Sequence, residues 1–280
     1  MRMGVDLGGT KIVLAVFDPE WREVARRRVP TPHAGYDTAL ERLAQTILDV
    51  EREAGERCSV GIGMPGAVSP RSGRVFNAYN TPYNGRALKR DLEERLGREV
   101  RFANDGNCFA LSEAVDGAGA GAGVVFGTTL GTGVGGGLVV DGKVLTGRNA
   151  LTGEIGHCPL PWMKPDEFPG RMCFCGRPGC LDQMCSGPAL ARLKEETGND
   201  ETAMLRFEDR LARAFGLVVN FLDPDVIVVG GGVSNLDRLF VNVPKLLPAY
   251  VYSDSADVRI VRAKHGDASG VRGAAMLWPA

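Results

Sequence analysis

A glycine- and threonine-rich segment near the N-terminus has the composition of a phosphate-binding turn. It reads Asp6-Leu7-Gly8-Gly9-Thr10-Lys11. Glycine leaves backbone N–H groups open to phosphate oxygens, and the Thr10 hydroxyl is a further donor. The Asp6 carboxylate could hold Mg²⁺ through water, and the Lys11 ammonium would offset phosphate charge. Taken alone, the segment is better explained as a tight hairpin turn without a ligand.

Two further glycine clusters shift this interpretation toward ATP. Gly131-Thr132-Gly133 forms the tip of a second hairpin predicted over 123–144, and Gly230-Gly231-Gly232 follows the predicted strand Asp225–Val229. Ligands of open α/β sheets bind at the carboxyl ends of the strands, so the third cluster fits a shelf for adenosine. Two segments, Gly61–Gly66 and Gly131–Gly136, also match G-x-G-x-x-G, but neither opens a predicted helix, which excludes a dinucleotide site.

The pair Asn104-Asp105 stands between the predicted strand Val100–Ala103 and a helix predicted from Cys108. An aspartate in this position is a common helix N-cap. It is equally suited to accept the proton of an attacking hydroxyl. Beyond such a base, phosphoryl transfer needs little more than a magnesium ion and aligned phosphates. The local sequence leaves both interpretations open.

A histidine and three cysteines have a spacing that favours metal binding. His157, Cys173, Cys175 and Cys180 form the pattern H-x15-C-x-C-x4-C. Three thiolates and one imidazole make a closed tetrahedral set, so the pattern predicts structural zinc rather than a water-activating site. The alternative is a cluster of reduced cysteines packed as small hydrophobic side chains. The other cysteines are predicted to be packing residues: Cys58, Cys108, Cys158 and Cys185.

The elements that must position these residues follow an α/β pattern with an internal duplication. Strand, glycine-rich tip and strand occur over 3–17 and again over 123–144, each opening one half of the chain. We predict a first lobe over 1–115 and a second lobe over 116–266 that contains a zinc loop at 157–180. A helix at about 267–280, with Asp267 as its N-cap, is predicted to dock back on the first lobe.

Composition and charge exclude several classes of function. The 280 residues carry a net charge of -1, with basic and acidic side chains interspersed, which disfavours nucleic acid and an anionic membrane surface as partners. The N-terminus has no apolar signal-peptide core. No stretch of about 18 apolar residues is free of glycine, proline and charge. We therefore expect a cytoplasmic protein without a membrane span.

Taken together, the motifs resemble the ROK family of sugar kinases in the actin-like ATPase superfamily, in order and over essentially the whole chain. The matching segments are Asp6–Lys11, Gly63–Gly66, Asn104–Cys108, Leu130–Gly137, Gly153–His157, Cys173–Cys180 and Gly230–Gly232. The resemblance implies a two-lobed α/β kinase of the actin-like ATPase (ribonuclease H-like) fold, with an inserted zinc loop. It also implies a homodimer that binds a hexose, ATP, Mg²⁺ and a structural Zn²⁺.

The resemblance also implies roles for individual residues. Asp105 matches the catalytic base of the family, which would act on the 6-hydroxyl of the sugar. The positions that match sugar-binding residues are Gly66, Asn80, Asn104, Glu154, His157 and Asp182. His157 would use one ring nitrogen for zinc and the other for the sugar, so the metal would fix its tautomer and orientation.

Within the family, the stretches around Asn80 and His157 and the C-terminal tail look most like bacterial fructokinases that also accept mannose. Bacterial N-acetylglucosamine kinases share much of this pattern and are the alternative. Asn80-Thr81-Pro82-Tyr83-Asn84 favours the fructokinases. Three departures stand out: Gly106 replaces the usual Ala, Asp182 replaces the usual Glu, and the stretch after Ser186 is shorter.

Two other classes of protein compete with the kinase. A sugar-responsive repressor of the same family would need a DNA-binding module before the first strand, and that strand begins by Met3. A filament-forming or chaperone-type ATPase would not need the hydroxyl base that Asn104-Asp105 suggests. We therefore expect an ATP-dependent hexose kinase.

Overall fold

The structure is a computed structural model that describes residues 1–279. Its strands are β1 (Arg2–Leu7), β2 (Lys11–Phe17), β3 (Glu23–Pro30), β4 (Ser59–Met64), β5 (Ala67–Val68), β6 (Val75–Phe76), β7 (Val100–Asn104), β8 (Val124–Leu130), β9 (Val134–Val140), β10 (Lys143–Val144), β11 (Val226–Gly230) and β12 (Arg259–Arg262). Its α-helices are α1 (Tyr36–Ala54), α2 (Leu88–Leu96), α3 (Asp105–Val115), α4 (Leu181–Met184), α5 (Gly187–Thr197), α6 (Asp200–Leu222), α7 (Leu239–Leu246) and α8 (Ser269–Ala275).

The chain divides into two compact units. Unit 1 comprises Met1–Ser112, Thr146–Thr152 and the C-terminal segment that begins at Asp267. Unit 2 comprises Glu113–Leu145 and Gly153–Gly266. The described residues contain no helix long and apolar enough to cross a membrane.

Unit 1 is built on a five-stranded sheet in the order β3-β2-β1-β4-β7. The pairs β3/β2 and β2/β1 are antiparallel, whereas β1/β4 and β4/β7 are parallel. Helix α1 buries Leu40, Leu43 and Ile47 at helical spacing, which is the amphipathic pattern that predicted it. The carboxyl ends of β1, β4 and β7 therefore lie at one edge of this sheet, where Asp6 and Asn104 are found.

The backbone of α8 touches the strands of unit 1 directly. A Cβ at Gly4 would overlap the Val271 carbonyl, and a Cβ at Gly61 would overlap the Ala274 carbonyl. Gly273 is equally tight against the Cys108 carbonyl of α3. Glycine at these places lets a helix lie on a sheet without an intervening side chain.

Unit 2 repeats the plan of unit 1. Its sheet has the order β10-β9-β8-β11-β12, with two antiparallel pairs followed by two parallel pairs. Its core includes Phe207, Leu211 and Phe215 from α6 and Ile227 from β11. Both sheets thus share one topology, which confirms the predicted α/β class and the internal duplication.

Two predicted helix starts are wrong. The helix predicted from Cys108 begins at Asp105, because the Asn104 carboxamide accepts a hydrogen bond from the Gly106 amide at 2.8 Å and caps the first turn. The C-terminal helix predicted over about 267–280 is α8, and Asp267 is not its N-cap. Asp267 lies inside a 3₁₀ turn, Gly266–Ala268, and the N-cap position is occupied by Ala268 without a side-chain cap. Residue 280 of that prediction lies outside the described residues.

Candidate active site

In unit 1, the turn between β1 and β2 is held closed by backbone and side-chain hydrogen bonds. The Gly8 amide donates to the Lys11 carbonyl at 3.0 Å. Thr31 supports the turn from the side: its hydroxyl donates to the Gly8 carbonyl at 2.6 Å, and its amide donates to the Thr10 carbonyl at 3.0 Å. Thr10 and Lys11 are exposed, so this tip presents a hydroxyl and an ammonium to solvent.

Asp6 lies near the end of β1 beside this tip. Burial raises the pKa of the Asp6 carboxyl, and the positive charge of Lys11 partly opposes the rise. Its carboxylate faces α8, because a Cβ at Gly270 would sit 3.5 Å from Asp6 Oδ2. A partly buried carboxylate whose charge is only partly offset is costly, and a divalent cation is the kind of partner that would stabilise it.

Asn80 lies against the same tip. A Cβ at Gly9 would be 3.2 Å from the Asn80 carbonyl oxygen, and Asn80 itself has a positive φ of 62° and is exposed. The surface here is an open pocket of about 600 Å³ lined by Gly9, Thr10, His33, Asn80, Thr81 and Pro82. The structure thus brings Asn80 to the glycine tip of unit 1.

Asn104 fixes the start of α3 and leaves Asp105 accessible. The Asn104 amide donates to the Gly66 carbonyl at 3.1 Å, while its oxygen accepts from Gly106. Gly66 has a φ of 67°, and a Cβ there would overlap the Phe76 carbonyl, so glycine is required. Asp105 is exposed. A rigid first turn with an exposed carboxylate is a suitable platform for a general base.

The carboxylates of Asp6 and Asp105 both affect the thiol of Cys108. Cys108 is fully buried in α3, and burial raises the pKa of its thiol. The negative charges of Asp105 and Asp6 raise that pKa further. Asp6, the predicted magnesium partner, and Asp105, the predicted base, therefore both lie near the Cys108 thiol in unit 1.

In unit 2, the tip between β8 and β9 contacts the start of α5 and the glycines that follow β11. The Gly131 amide donates to the Gly133 carbonyl at 2.9 Å, and the Gly187 amide at the start of α5 donates to the Gly131 carbonyl at 2.8 Å. Gly231, with a φ of 80°, follows β11 and packs on the Leu130 backbone so closely that a Cβ would overlap it. Gly232 and Gly131 have open space where a Cβ would be. The predicted glycine clusters of this unit thus converge.

The predicted zinc ligands are close together. The ligand atoms of His157, Cys173, Cys175 and Cys180 all lie within 4.8 Å of one another. Cys175 Sγ and Cys180 Sγ are 3.5 Å apart, and His157 Nδ1 is 3.7 Å from Cys173 Sγ. Atoms placed about 2.0–2.3 Å from one ion in a tetrahedron have separations of this size. The donor set fits structural zinc.

Zinc through Nδ1 would leave the other ring nitrogen of His157 for a ligand. The ring packs edge-on against Phe174 with centroids 5.0 Å apart. Glu154 precedes the 3₁₀ turn Ile155–His157 and is partly buried. Burial raises the pKa of the Glu154 carboxyl, and the neighbouring His157 partly opposes the rise. The two predicted sugar ligands Glu154 and His157 therefore lie at the start and at the end of one short turn.

Asp182, the remaining predicted sugar ligand, lies on a different element. It belongs to α4, which begins directly after Cys180. Its Oδ1 accepts a hydrogen bond from the Val134 amide at 3.1 Å, and its Oδ2 accepts one from Gln183 at 3.0 Å. The structure therefore brings Asp182 to the second glycine tip.

Sequence reasoning missed a buried ion cluster that supports residues 162–167 within the zinc loop. Arg213 is 1% exposed and donates to Glu167 at 2.7 Å and to the Trp162 carbonyl at 2.9 Å. Burial alone would raise the pKa of Glu167, but hydrogen bonds from Arg213, Lys164 and Arg210 lower it to about 2. The available signal was Arg213 itself, a charge within the apolar stripe Leu211–Phe215 of α6. Thr31, flanked by two prolines, gave no comparable signal.

The two sheets repeat one topology, as expected for the actin-like ATPase fold. The ROK family model matches residues 2–280, and the chain belongs to the ROK family.

Individual relatives agree with this assignment. The N-acetyl-D-glucosamine kinase of Pectobacterium atrosepticum is 40% identical over 299 residues, covering 99% of this chain and 98% of that protein. The crystal structure of the ROK hexokinase from Thermus thermophilus matches with a TM-score of 0.86 and 33% identity, over 98% of this chain and 96% of the other. A ROK family glucokinase from Streptomyces griseus, solved with glucose and AMPPNP, matches with a TM-score of 0.77 and 28% identity, over 99% and 98%. An ATP-dependent sugar kinase is therefore supported, whereas the predicted preference for fructose is not.

Proposed function

We propose that the protein transfers the γ-phosphoryl group of ATP to the 6-hydroxyl of a hexose and that N-acetyl-D-glucosamine is its preferred sugar. The observation that carries the reaction is the placement of Asp105: an exposed carboxylate on a capped helix start, sharing the neighbour Cys108 with Asp6. The choice of sugar is supported by relatives of that activity at 40% identity.

In the proposed reaction, Asp105 accepts the proton of the sugar 6-hydroxyl, and that oxygen forms the new bond to the γ-phosphorus as the bond to ADP breaks. Asn104 would hold the sugar beside this base. Glu154 and His157 would bind other sugar hydroxyls, and Gly66 and Asn80 would complete the predicted contacts in unit 1. Bound Mg²⁺, for which Asp6 is the candidate partner, neutralises charge on the phosphates.

Phosphate binding would use the two glycine tips. In unit 1, the tip amides, Thr10 and Lys11 would meet phosphate oxygens. In unit 2, Gly131-Thr132-Gly133 would do the same, and Gly231 and Gly232 would leave room for the nucleoside. Zinc at His157 would have a structural part, because three thiolates and the imidazole leave no open position. The homodimer implied by the family stays a prediction.

A coupled assay of ADP release tests this proposal with fructose, mannose, glucose and N-acetyl-D-glucosamine as separate substrates. We expect the highest kcat/KM with N-acetyl-D-glucosamine. A higher value with fructose would instead favour the fructokinase activity predicted from the sequence. Asp105→Asn should lower kcat by about 1,000-fold while sugar and nucleotide still bind. Turnover near that of the wild type would remove Asp105 as the base.

A further inference from the structure

The carboxylate of Asp182 is joined to the backbone of the second glycine tip. Val134 is the first residue of β9, and its amide donates to Asp182 Oδ1 at 3.1 Å. A Cβ at Gly133 would overlap the same oxygen, so the carboxylate lies directly on the tip. A glycine-rich turn has a large conformational entropy to lose, and a charge-assisted bond to its backbone offsets part of that loss.

Asp182 is itself held in place by the chain around the zinc ligands. Helix α4 follows Cys180, and the Leu181 amide donates to the Cys158 carbonyl at 2.8 Å. Leu181 is 1% exposed. The four-residue helix is too short to be stable alone, so its position depends on these contacts and on the ligand Cys180.

The contact between Asp182 and the tip depends on a glycine at position 133. A Cβ there would overlap Asp182 Oδ1, so glycine leaves the space that the carboxylate occupies. On the opposite side, the Gly187 amide holds the Gly131 carbonyl at 2.8 Å. The tip is therefore fixed from two sides, by α4 and by α5.

We propose that Asp182 is a positioning residue for nucleotide binding: it holds the amides of the tip Gly131–Gly133 in the arrangement that meets phosphate and links that arrangement to the zinc loop. This inference rests on the proposed ATP site in unit 2. It differs from the role implied by family resemblance, in which position 182 contacts the sugar, and the two roles predict different kinetic effects.

The test measures nucleotide affinity directly, by titrating a fluorescent ATP analogue with Mg²⁺ in the absence of sugar, and then KM for ATP and for sugar. We expect Asp182→Ala to raise the Kd of the analogue and the KM for ATP by about tenfold, with a change in sugar KM below about twofold. Asp182→Asn should stay within about threefold of the wild type, because its amide oxygen can still accept from Val134. Zinc content should be unchanged in both variants.

Gln183→Ala is the matched control on the same helix. It removes the bond to Asp182 Oδ2 but leaves the bond to Val134, so we expect a change of less than about twofold in either KM. If Asp182→Ala does not fold, Asp182→Ser replaces it, because serine is tolerated in the first turn of a helix but is too short to reach the tip. A raised sugar KM with unchanged analogue affinity, or no effect in the truncated variants, would overturn the inference. Wild-type protein that binds no analogue would instead contradict the proposed ATP site.

Discussion

The two glycine tips have the same place in their sheets but are supported by different chemistry. Leu7 pairs with Ile12 at the first tip, and Leu130 pairs with Val134 at the second. The first tip carries its own charges, with Asp6 before the leucine and Lys11 at the end of the turn. At the same places the second tip has Thr129 and Gly133, which carry no charge, and its nearby charge is supplied by Asp182 from α4.

The two tips therefore share a backbone plan but offer different chemical groups to a ligand and are supported by different contacts. The tip of unit 1 is held by its own Gly8–Lys11 hydrogen bond and by Thr31, and it offers ionic groups to a ligand. The tip of unit 2 offers mainly backbone amides, and its position depends on a longer series of contacts that includes the zinc loop. We therefore expect charge removal to affect the first tip most and loss of structural support to affect the second.

Among changes at the two tips and their supports, the largest effect is expected at Asp6. Asp6→Asn should lower kcat/KM by about 100-fold because the candidate Mg²⁺ partner is lost, whereas Thr129→Val, at the equivalent place of the second hairpin, should change it by less than about twofold. Coupled assays over a range of Mg²⁺ concentrations would measure both variants. Equal losses in the two variants would break the comparison between the tips.

Replacing Asp6 should also change how the free energy of unfolding depends on pH. Because the pKa of Asp6 is raised in the folded protein, its contribution is most favourable below the unfolded pKa of about 4 and is lost as the pH rises through the folded value. Without Mg²⁺, Asp6→Asn should therefore gain in stability relative to the wild type as the pH increases. Chemical denaturation at several pH values checks this sign.

An intermediate effect is expected from zinc removal. Cys175→Ser should reduce bound zinc well below one ion per chain and lower the unfolding midpoint by about 10 °C, which corresponds to about 3 kcal/mol. It should also weaken nucleotide binding, because α4 loses its anchor at Cys180. Metal analysis and thermal unfolding measure the outcome. Cys158→Ser is the control, since this half-buried cysteine lies outside the ligand group.

The smallest effect is expected at Thr31. Thr31→Val keeps the backbone bond to Thr10 but removes the hydroxyl that donates to Gly8, which should cost about 1 kcal/mol and raise the KM for ATP by about two- to threefold. Thr31→Ser retains the hydroxyl and should behave like the wild type. An unchanged KM in the valine variant would show that the first tip does not need this support.

Much of the fold could be predicted from the sequence because its signals are local. Helix α1 buries apolar residues that recur at helical spacing in the sequence, and α6 does the same over a longer stretch. Both hairpins follow from alternating apolar residues around a glycine tip. The start of α3 was missed because the cap is supplied by Asn104, one residue earlier than the expected capping aspartate.

The site was predictable only to the level of residue types. The spacing of His157 and the three cysteines predicted the candidate metal ligands, because thiolates and imidazoles are the donors that tetrahedral zinc prefers. The partner of Asp182 could not be deduced, because Val134 is far away in sequence and a backbone amide leaves no trace in residue type. Thr31 and Arg213 were missed for the same reason: their partners are set by the fold and not by neighbouring residues.

The direct backbone contact of α8 with the sheet has a consequence for how the chain is made. Strands β1 and β4 precede α8 in the chain, so the surface around Gly4 and Gly61 has no cover until residues 269–275 have been synthesised. Unit 2 is encoded almost entirely between these two parts. Unit 1 therefore completes its core only after the sequence of unit 2 has been translated, and its first sheet needs protection from other nascent chains for most of that time.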